Sequence, residues 1–461
     1  MLSRERVSGR GIEALLLFLV VAVLALGLAL TSIGLQVRQD LNPVVELPAI
    51  VPPVVLVAAL LTGAHLLLRR QRRTMEQVLL PVAGLLFALG LIAVFRVRGT
   101  EGMWQQLLRG FVPGMGVLML FIWRPQTVES MRRWTLPLSL VGLALPIATA
   151  VFGVVDETGA RLSLQLGPLP PIQTSDMVKV ALIFFLAWYI EREGNEAAGR
   201  ARIVFGRLRL PPVRHLIPGG MFVALGTLAL VQMQDHGAVL ILGILFVGML
   251  YAGFETRIFV TVGLLGLVMT VLVGAVLAFT WEVPTVIRYR FIAFVDPWSE
   301  APLLLDGEPT GITVAQGPGY QIQQSIYATI AGGLSGTGLG LGTPSYVPLA
   351  HSDFIYTVVL EEMGAVVGLP VLLLFVVVML RLLRLAAILP PTQNFERLVL
   401  VGVAIHLFTQ VFVMVGGTLN LIPLTGVTIP FMSQGGVALF VNLAEIGIAM
   451  GLAARLEEAR R

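Results

Sequence analysis

About twelve runs of some 20 mostly apolar residues recur along the chain, near 11–35, 48–69, 77–95, 105–123, 134–154, 175–190, 216–233, 237–254, 258–281, 354–380, 397–419 and 432–453. A run of that length and polarity crosses the hydrocarbon core of a bilayer as a helix. Composition agrees: 56% of the 461 residues are hydrophobic and 13% charged, far from the balance of a soluble domain. The expected fold is all-α, a polytopic membrane protein of about 12 transmembrane helices. The first run is too long for a signal-peptide core and no small-residue cleavage site follows it, so it is expected to be retained.

Arginine carries almost all the positive charge, Lys179 being the only lysine. Arg4, Arg6 and Arg10 precede the first run, and arginines then crowd every second connection: Arg69 to Arg73, Arg124 to Arg133, Arg192 to Arg214, Arg257, Arg381 with Arg384, and Arg455 to Arg461. By the positive-inside rule both termini are cytoplasmic and the 282–353 loop faces outward. The arginines flank membrane segments instead of forming one basic stripe, which excludes a nucleic-acid partner. With no cysteine, thiolate catalysis, disulfides and cysteine metal sites are excluded as well. The polar 191–215 connection is expected to anchor topology, with an interfacial helix as one form it could take.

The longest break in the apolar background is Gln316 to Gly364, QGPGYQIQQSIYATIAGGLSGTGLGLGTPSYVPLAHSDFIYTVVLEEMG. Its glycines superficially match a dinucleotide fingerprint, but an outward-facing run without a strand and helix around it does not meet that motif's needs. Close backbone approach and re-entrant geometry account for them better. The stretch ends with His351 and Asp353 at the mouth of an apolar helix. Asp353 could cap that helix or serve a reaction; Glu361 and Glu362, about two turns deeper, are either hydrogen-bonded to loop backbone or linked to a proton.

GYQIQQS, GGLSGTGLGLG, VPLAHSDF and LEEMG, followed by LIPLTGVTIPFMSQGG and preceded by LQLGPLPPIQTSDMVK, resemble in order and spacing the SEDS family, the RodA, FtsW and SpoVE-like peptidoglycan glycosyltransferases. The resemblance covers roughly residues 77 to 455. It implies a ten-helix core at 71–461 with an extracytoplasmic loop at 282–353, preceded by two extra transmembrane helices within 1–70. It also implies an essential aspartate at Asp353, and contacts to substrate from His351, Gln324, Ser325 and Ser433. Several positions depart from the family pattern: Ser163 for a common tryptophan, Thr174 for proline, Asp176 for glutamate, Gln234 for proline and Gln434 for tyrosine. Aromatic contacts at Ser163 and Gln434 are therefore absent, and Leu303 to Thr313 resembles an insertion.

Other residues are legible from chemistry. Asp176 and Lys179 share a helical face, and a buried ammonium needs a partner, so they are expected to form an ion pair lining a polar cavity. Arg109, inside the fourth run, is either a snorkelling side chain or a phosphate ligand. Asp235 lies in a tight outer turn, as a turn or cavity-wall residue or in the chemistry. Arg288 and Arg290 would project to one side of an extended segment and hold a diphosphate, or else meet lipid headgroups.

The resemblance implies an enzyme that polymerises lipid II into glycan strands in a bacterial cytoplasmic membrane, with Asp353 as general base, and the arginine pattern places that activity on the outer face. The resemblance implies a class B penicillin-binding protein as partner. No dense set of metal ligands is present, and a divalent cation, magnesium or manganese, stays open beside arginine at the leaving diphosphate. The rival reading is a transporter or flippase of lipid-linked precursor, which also uses short helices and buried ion pairs.

Overall fold

The computed structural model describes residues 10–38, 47–71, 75–154, 161–165, 167, 171–199, 202–204, 208–210, 217–253, 285–305 and 308–459. Every apolar run outside 254–284 has its helix, and the ninth run, 258–281, lies outside the described residues. In chain order the helices are α1 (Gly11–Arg38), α2 (Val51–Arg70), α3 (Leu79–Gln106), α4 (Val112–Trp123), α5 (Gln126–Phe152), α6 (Ser175–Gly199), α7 (Ile217–Gln232), α8 (His236–Gly253), α9 (Thr285–Val295), α10 (Pro318–Gly332), α11 (Ile355–Met363), α12 (Ala365–Ile388), α13 (Asn394–Thr418) and α14 (Gly436–Ala459). Among the described residues, eight helical segments are long and apolar enough to cross a membrane, one of them the continuous Leu79–Trp123.

Burial sorts these helices into a centre and a rim. The apolar windows of Leu79–Trp123, Pro391–Thr418 and Gly436–Glu458 are 89%, 78% and 83% buried, against 33% for α1 and for α5. A helix apolar on all sides belongs in the middle of a bundle, and α3, α13 and α14 occupy it. Glycines let α4 lie directly on α14, with Gly110 and Gly114 facing Leu439 and Leu443, the small-residue packing that drives association in lipid.

Three features differ from the sequence reading. The tenth apolar run is not one helix: Gly364, at φ 71°, breaks it into the short α11 and the long α12, because a left-handed residue ends the α-helical ladder. Of the 191–215 connection, residues 191–199 continue α6, and β3 (Arg202–Val204) pairs antiparallel with β4 (Leu208–Leu210), strands the sequence reading did not expect. The Leu303 insertion is likewise a hairpin, β5 (Pro302–Leu305) with β6 (Glu308–Thr313), docked on α9 through the Tyr289 hydroxyl, which receives the Leu304 N–H at 2.6 Å. With β1 (Ser163–Leu164) and β2 (Ile172–Gln173), these are the strands among the described residues.

Candidate active site

The short helix α11 organises the end of the bundle that carries the glycine-rich loop. It is buried from Ile355 through Glu362, and its terminal carbonyls, orphaned by the break at Gly364, accept hydrogen bonds from the glycine-rich loop: Thr337 N–H to Glu361 O at 2.9 Å and Gly338 N–H to Glu362 O at 3.0 Å. A side chain at Gly332 would overlap the backbone at Leu360. Close backbone approach is thus what this glycine run provides.

Glu361 and Glu362 grip the same loop through their side chains. The Thr343 N–H and hydroxyl donate to Glu361 Oε1 at 2.6 and 3.0 Å, and the Gly340 N–H donates to Glu362 Oε2 at 2.9 Å. Arg96 closes the network, pairing with Glu362 at 2.6 Å and donating to Gly342 O at 2.7 Å. Of the two alternatives for these glutamates, the loop-backbone role is the one observed.

At the other end of α11 stands Asp353. The N-cap position is Phe354 and no side chain caps the helix, so the capping role does not hold for Asp353. The turn carrying it is fixed from below by the 419–435 loop. Ser433 donates its hydroxyl to Ser352 O at 2.7 Å while receiving the Ile429 N–H at 2.9 Å, and the Gln434 N–H donates to His351 O at 2.9 Å. Ser433, a candidate substrate contact, therefore spends its hydroxyl holding the turn. Gly426 lies alongside Asp353 Oδ2, leaving room beside the carboxylate.

Burial pushes the Asp353 carboxyl up to about 6; a hydrogen bond from Ser352 and the charge of Arg290 work against that rise, and the like charge of Asp235 adds to it. Arg290 is in turn half-buried, and desolvation lowers its pKa while Asp353 and Asp235 support its charge. The charge of one guanidinium thus acts on both carboxylates. Asp235 also accepts the Ala238 N–H at 2.9 Å, which caps α8, so it is both a turn residue and part of the cavity wall.

Two cavities lie near the His351–Asp353 turn, one of about 20 Å³ that reaches it only through Gly426 and one lined by His351 itself, and Asp353 lines neither. The first is lined by Ser175, Asp176, Lys179, Asp235, Gln410 and Gly426 among others. In it Lys179 and Asp176 pair at 2.5 Å with side chains 3% and 6% exposed, the expected i, i+3 pair. The second, about 220 Å³, is lined by Arg98, Gln105, Gln106, Arg109, His351, Gln434, Gly435 and Gly436. Arg109 reaches it from a π-helical turn, Leu107–Phe111, a local widening common at functional sites. Burial, and to a lesser extent Arg98, lower the His351 pKa, keeping the imidazole neutral at pH 7. This second cavity thus offers the guanidiniums of Arg98 and Arg109 to an anion, while the amide nitrogens of Gln105, Gln106 and Gln434 donate to Glu101, Met432, Ser433 and Gly102.

Other expected ligands fall elsewhere. Arg288 and Arg290 sit on α9, not on an extended segment, so two residues apart means opposite sides of the helix: Arg288 is exposed while Arg290 turns inward. Ser325 is buried, its hydroxyl 2.7 Å from that of Thr357 and 2.8 Å from Thr418 O, tying α10 to α11 and α13. It has no bond left for a substrate. Gln324 is half-buried on the same helix. Arg96 and Arg98 were missed from sequence, although two arginines at the outer end of α3 run against the positive-inside rule and carried a usable signal.

The two cavities, the buried lysine–aspartate pair and the aspartate at the end of a broken helix define a multi-pass membrane enzyme site. Residues 74–458 match the cell cycle protein family of FtsW, RodA and SpoVE, and the chain belongs to that family. Among similar proteins, the peptidoglycan glycosyltransferase RodA of Mycobacterium tuberculosis (strain ATCC 25618 / H37Rv) is 30% identical over 413 residues, 87% of this chain and 81% of that protein. Stage V sporulation protein E of Bacillus subtilis is 30% identical over 344 residues, 74% and 84% of the two chains. The fold is shared with a chain of a peptidoglycan synthase complex that coordinates polymerization and crosslinking, at TM-score 0.62 and 22% identity, over 83% of this chain and 98% of that one. It is shared also with the rod shape determining protein RodA of Thermus thermophilus, at TM-score 0.55 and 21% identity, over 83% and 97%.

Proposed function

We propose that this chain is a peptidoglycan glycosyltransferase that polymerises lipid II at the outer face of the cytoplasmic membrane, with Asp353 as its general base. The observation that carries the assignment is the placement of Asp353: uncapped, desolvated, beside Arg290 and next to the cavity of Asp176, Lys179 and Asp235.

Chain growth joins a sugar hydroxyl of one lipid-linked saccharide to the anomeric carbon of another, breaking the bond to a lipid diphosphate. The hydroxyl proton passes to the Asp353 carboxylate as the new glycosidic bond forms. A carboxyl near 6 is largely ionised at pH 7 yet basic enough for useful proton transfer, a contribution of about 10²- to 10⁴-fold. The departing diphosphate takes the electron pair, and fixed cations stabilise it without reorganising: Arg290 on one side, where Lys179 is held in place by Asp176, and Arg98 and Arg109 on the other. The divalent cation left open by the resemblance would meet Asp353 and Asp235, and among the described residues no group of three His, Cys, Asp or Glu completes a ligand set; no step here is routed through it. Likeness to a synthase-complex chain supports a class B penicillin-binding protein as partner. The arginine pattern supports cytoplasmic termini and an outward site.

Purified lipid II given to the reconstituted protein, with and without that partner, tests the reading. Glycan strands are expected from wild type and none from folded Asp353→Ala or Asp353→Asn. Strands from both variants at near wild-type rate would remove Asp353 from the chemistry, and no polymer from a well-folded wild-type complex would return the transporter reading.

A further inference from the structure

The match to the family model begins at residue 74, after α1 and α2. Their contacts lead to the catalytic turn. A Cβ at Gly34 of α1 would overlap the carbonyl oxygen of Leu339, and one at Gly340 would run into the α1 backbone at Thr31 and Leu35. Helix and glycine loop therefore touch backbone to backbone. At the end of α1, Arg38 donates to Gly342 O and, at 3.3 Å, to Leu341 O.

On its other side this loop is the one held by α11. Gly340 N–H and Thr343 N–H bond Glu362 and Glu361, and Asp353 lies just before the first residue of the same helix. Nine residues of buried helix, about 13 Å long, have little freedom to flex. A displacement of the loop at Gly340 is therefore passed along α11 to the Asp353 turn.

Helix α1 is itself fixed at its far end. Arg10 pairs with Glu13 at 2.6 Å, Glu13 with His65 of α2 at 2.7 Å, and Arg10 donates to Glu76 O ahead of α3. In between, Gly27 packs on Ile92 of α3.

We propose that the N-terminal helix pair is a positioning element for catalysis: α1, through Gly34 and Arg38, braces the 338–343 loop and so sets Asp353 at its working position. The proposal rests on the polymerase reading for its activity and on geometry for the rest. Misplacing a catalytic group by about 1 Å costs about 10²-fold in rate, which sets the scale of the effect.

The test uses the full chain in lipid nanodiscs, as wild type, Gly34→Leu, Arg38→Gln and Arg38→Lys, with lipid II polymerisation and amide hydrogen exchange measured on each. Gly34→Leu should lower kcat by about 10- to 100-fold with KM for lipid II within about twofold, since Asp176, Lys179, Arg98 and Arg109 lie off the displaced loop. Exchange should quicken in residues 336–352 and stay unchanged in α13 and α14. Arg38→Gln should lower kcat less, and Arg38→Lys should restore it by again donating to the loop carbonyls. Wild-type kcat in both Gly34→Leu and Arg38→Gln, or unchanged exchange in 336–352, overturns the proposal. A fall in Arg38→Gln that Arg38→Lys fails to restore does the same even where Gly34→Leu does not fold. If wild type itself makes no polymer, the polymerase reading fails, and the exchange measurement still decides whether α1 braces the loop.

Discussion

Replacing Asp353 by asparagine should separate stability from activity, in a direction that depends on pH. The carboxyl is displaced from 3.8 to about 6, chiefly by burial, which corresponds to at most about 3 kcal/mol of cost to the folded state. Below about pH 4 the group is protonated in folded and unfolded chains alike and nothing is lost. Between about pH 4 and 6 the unfolded chain releases its proton first, so wild-type stability falls; above about pH 6 the whole cost is present. Asparagine removes that cost but takes one of two carboxylates from Arg290, leaving a net gain of about 1–2 kcal/mol at pH 8 and close to none at pH 4. Thermal unfolding at the two pH values reads this as a rise of a few °C at pH 8 only. Wild-type polymerisation should fall about tenfold from pH 8 to pH 5, as the ionised fraction of the base falls, while the variant makes no polymer at either. A variant equally destabilised at both pH values, or a flat wild-type rate between pH 5 and 8, would refute the desolvated base.

Two further outcomes follow from the same geometry. Lys179→Met leaves Asp176 buried without its partner and should cost about 3–5 kcal/mol in denaturant or thermal unfolding; Asp176→Leu with Lys179→Met should recover most of that stability and none of the polymerisation. Arg290→Gln should slow polymerisation by about 10²-fold, whereas Arg288→Gln, on the exposed side of α9, should stay within about twofold in the same assay.

Membrane helices are legible from sequence because lipid sets one rule, length of apolar run, that local composition satisfies by itself. The Asp176–Lys179 pair is legible for a similar reason, since three residues on a helix fix a face and burial demands a partner. Legibility ended where a single backbone angle decides. Gly364 looks like any helix glycine in lipid, yet its positive φ splits the tenth run and makes Glu361 and Glu362 the grip of a short rod. Arg288 and Arg290 were read on an extended segment, and one change of secondary structure moved Arg288 out of the site. Ser325 and Ser433 sit in the right motifs, but only three-dimensional partners reveal hydroxyls spent on Thr418 and Ser352.

Polar groups deeper in the bundle bear on the transporter alternative, because a transporter moves charge or substrate past them. His406 of α13 and Glu445 of α14 pair at 2.8 Å with side chains 0% and 1% exposed and line neither cavity, although Gln410, one turn along α13, lines the first. Those two helices carry, between them, the 419–435 loop that holds the Asp353 turn. As a tie between helices the pair is replaceable: a buried pair exchanged for apolar side chains of similar volume is often neutral or stabilising, while loss of one partner costs about 3–5 kcal/mol. His406→Leu with Glu445→Met should therefore keep polymerisation within a few fold, and His406→Leu alone should lower the melting temperature of the purified protein. A proton- or ion-linked transporter gives the opposite result, since two apolar side chains would abolish its cycle whatever they did for stability. Loss of polymerisation in a stable double variant would place this deep pair in the working cycle and overturn its assignment as a tie.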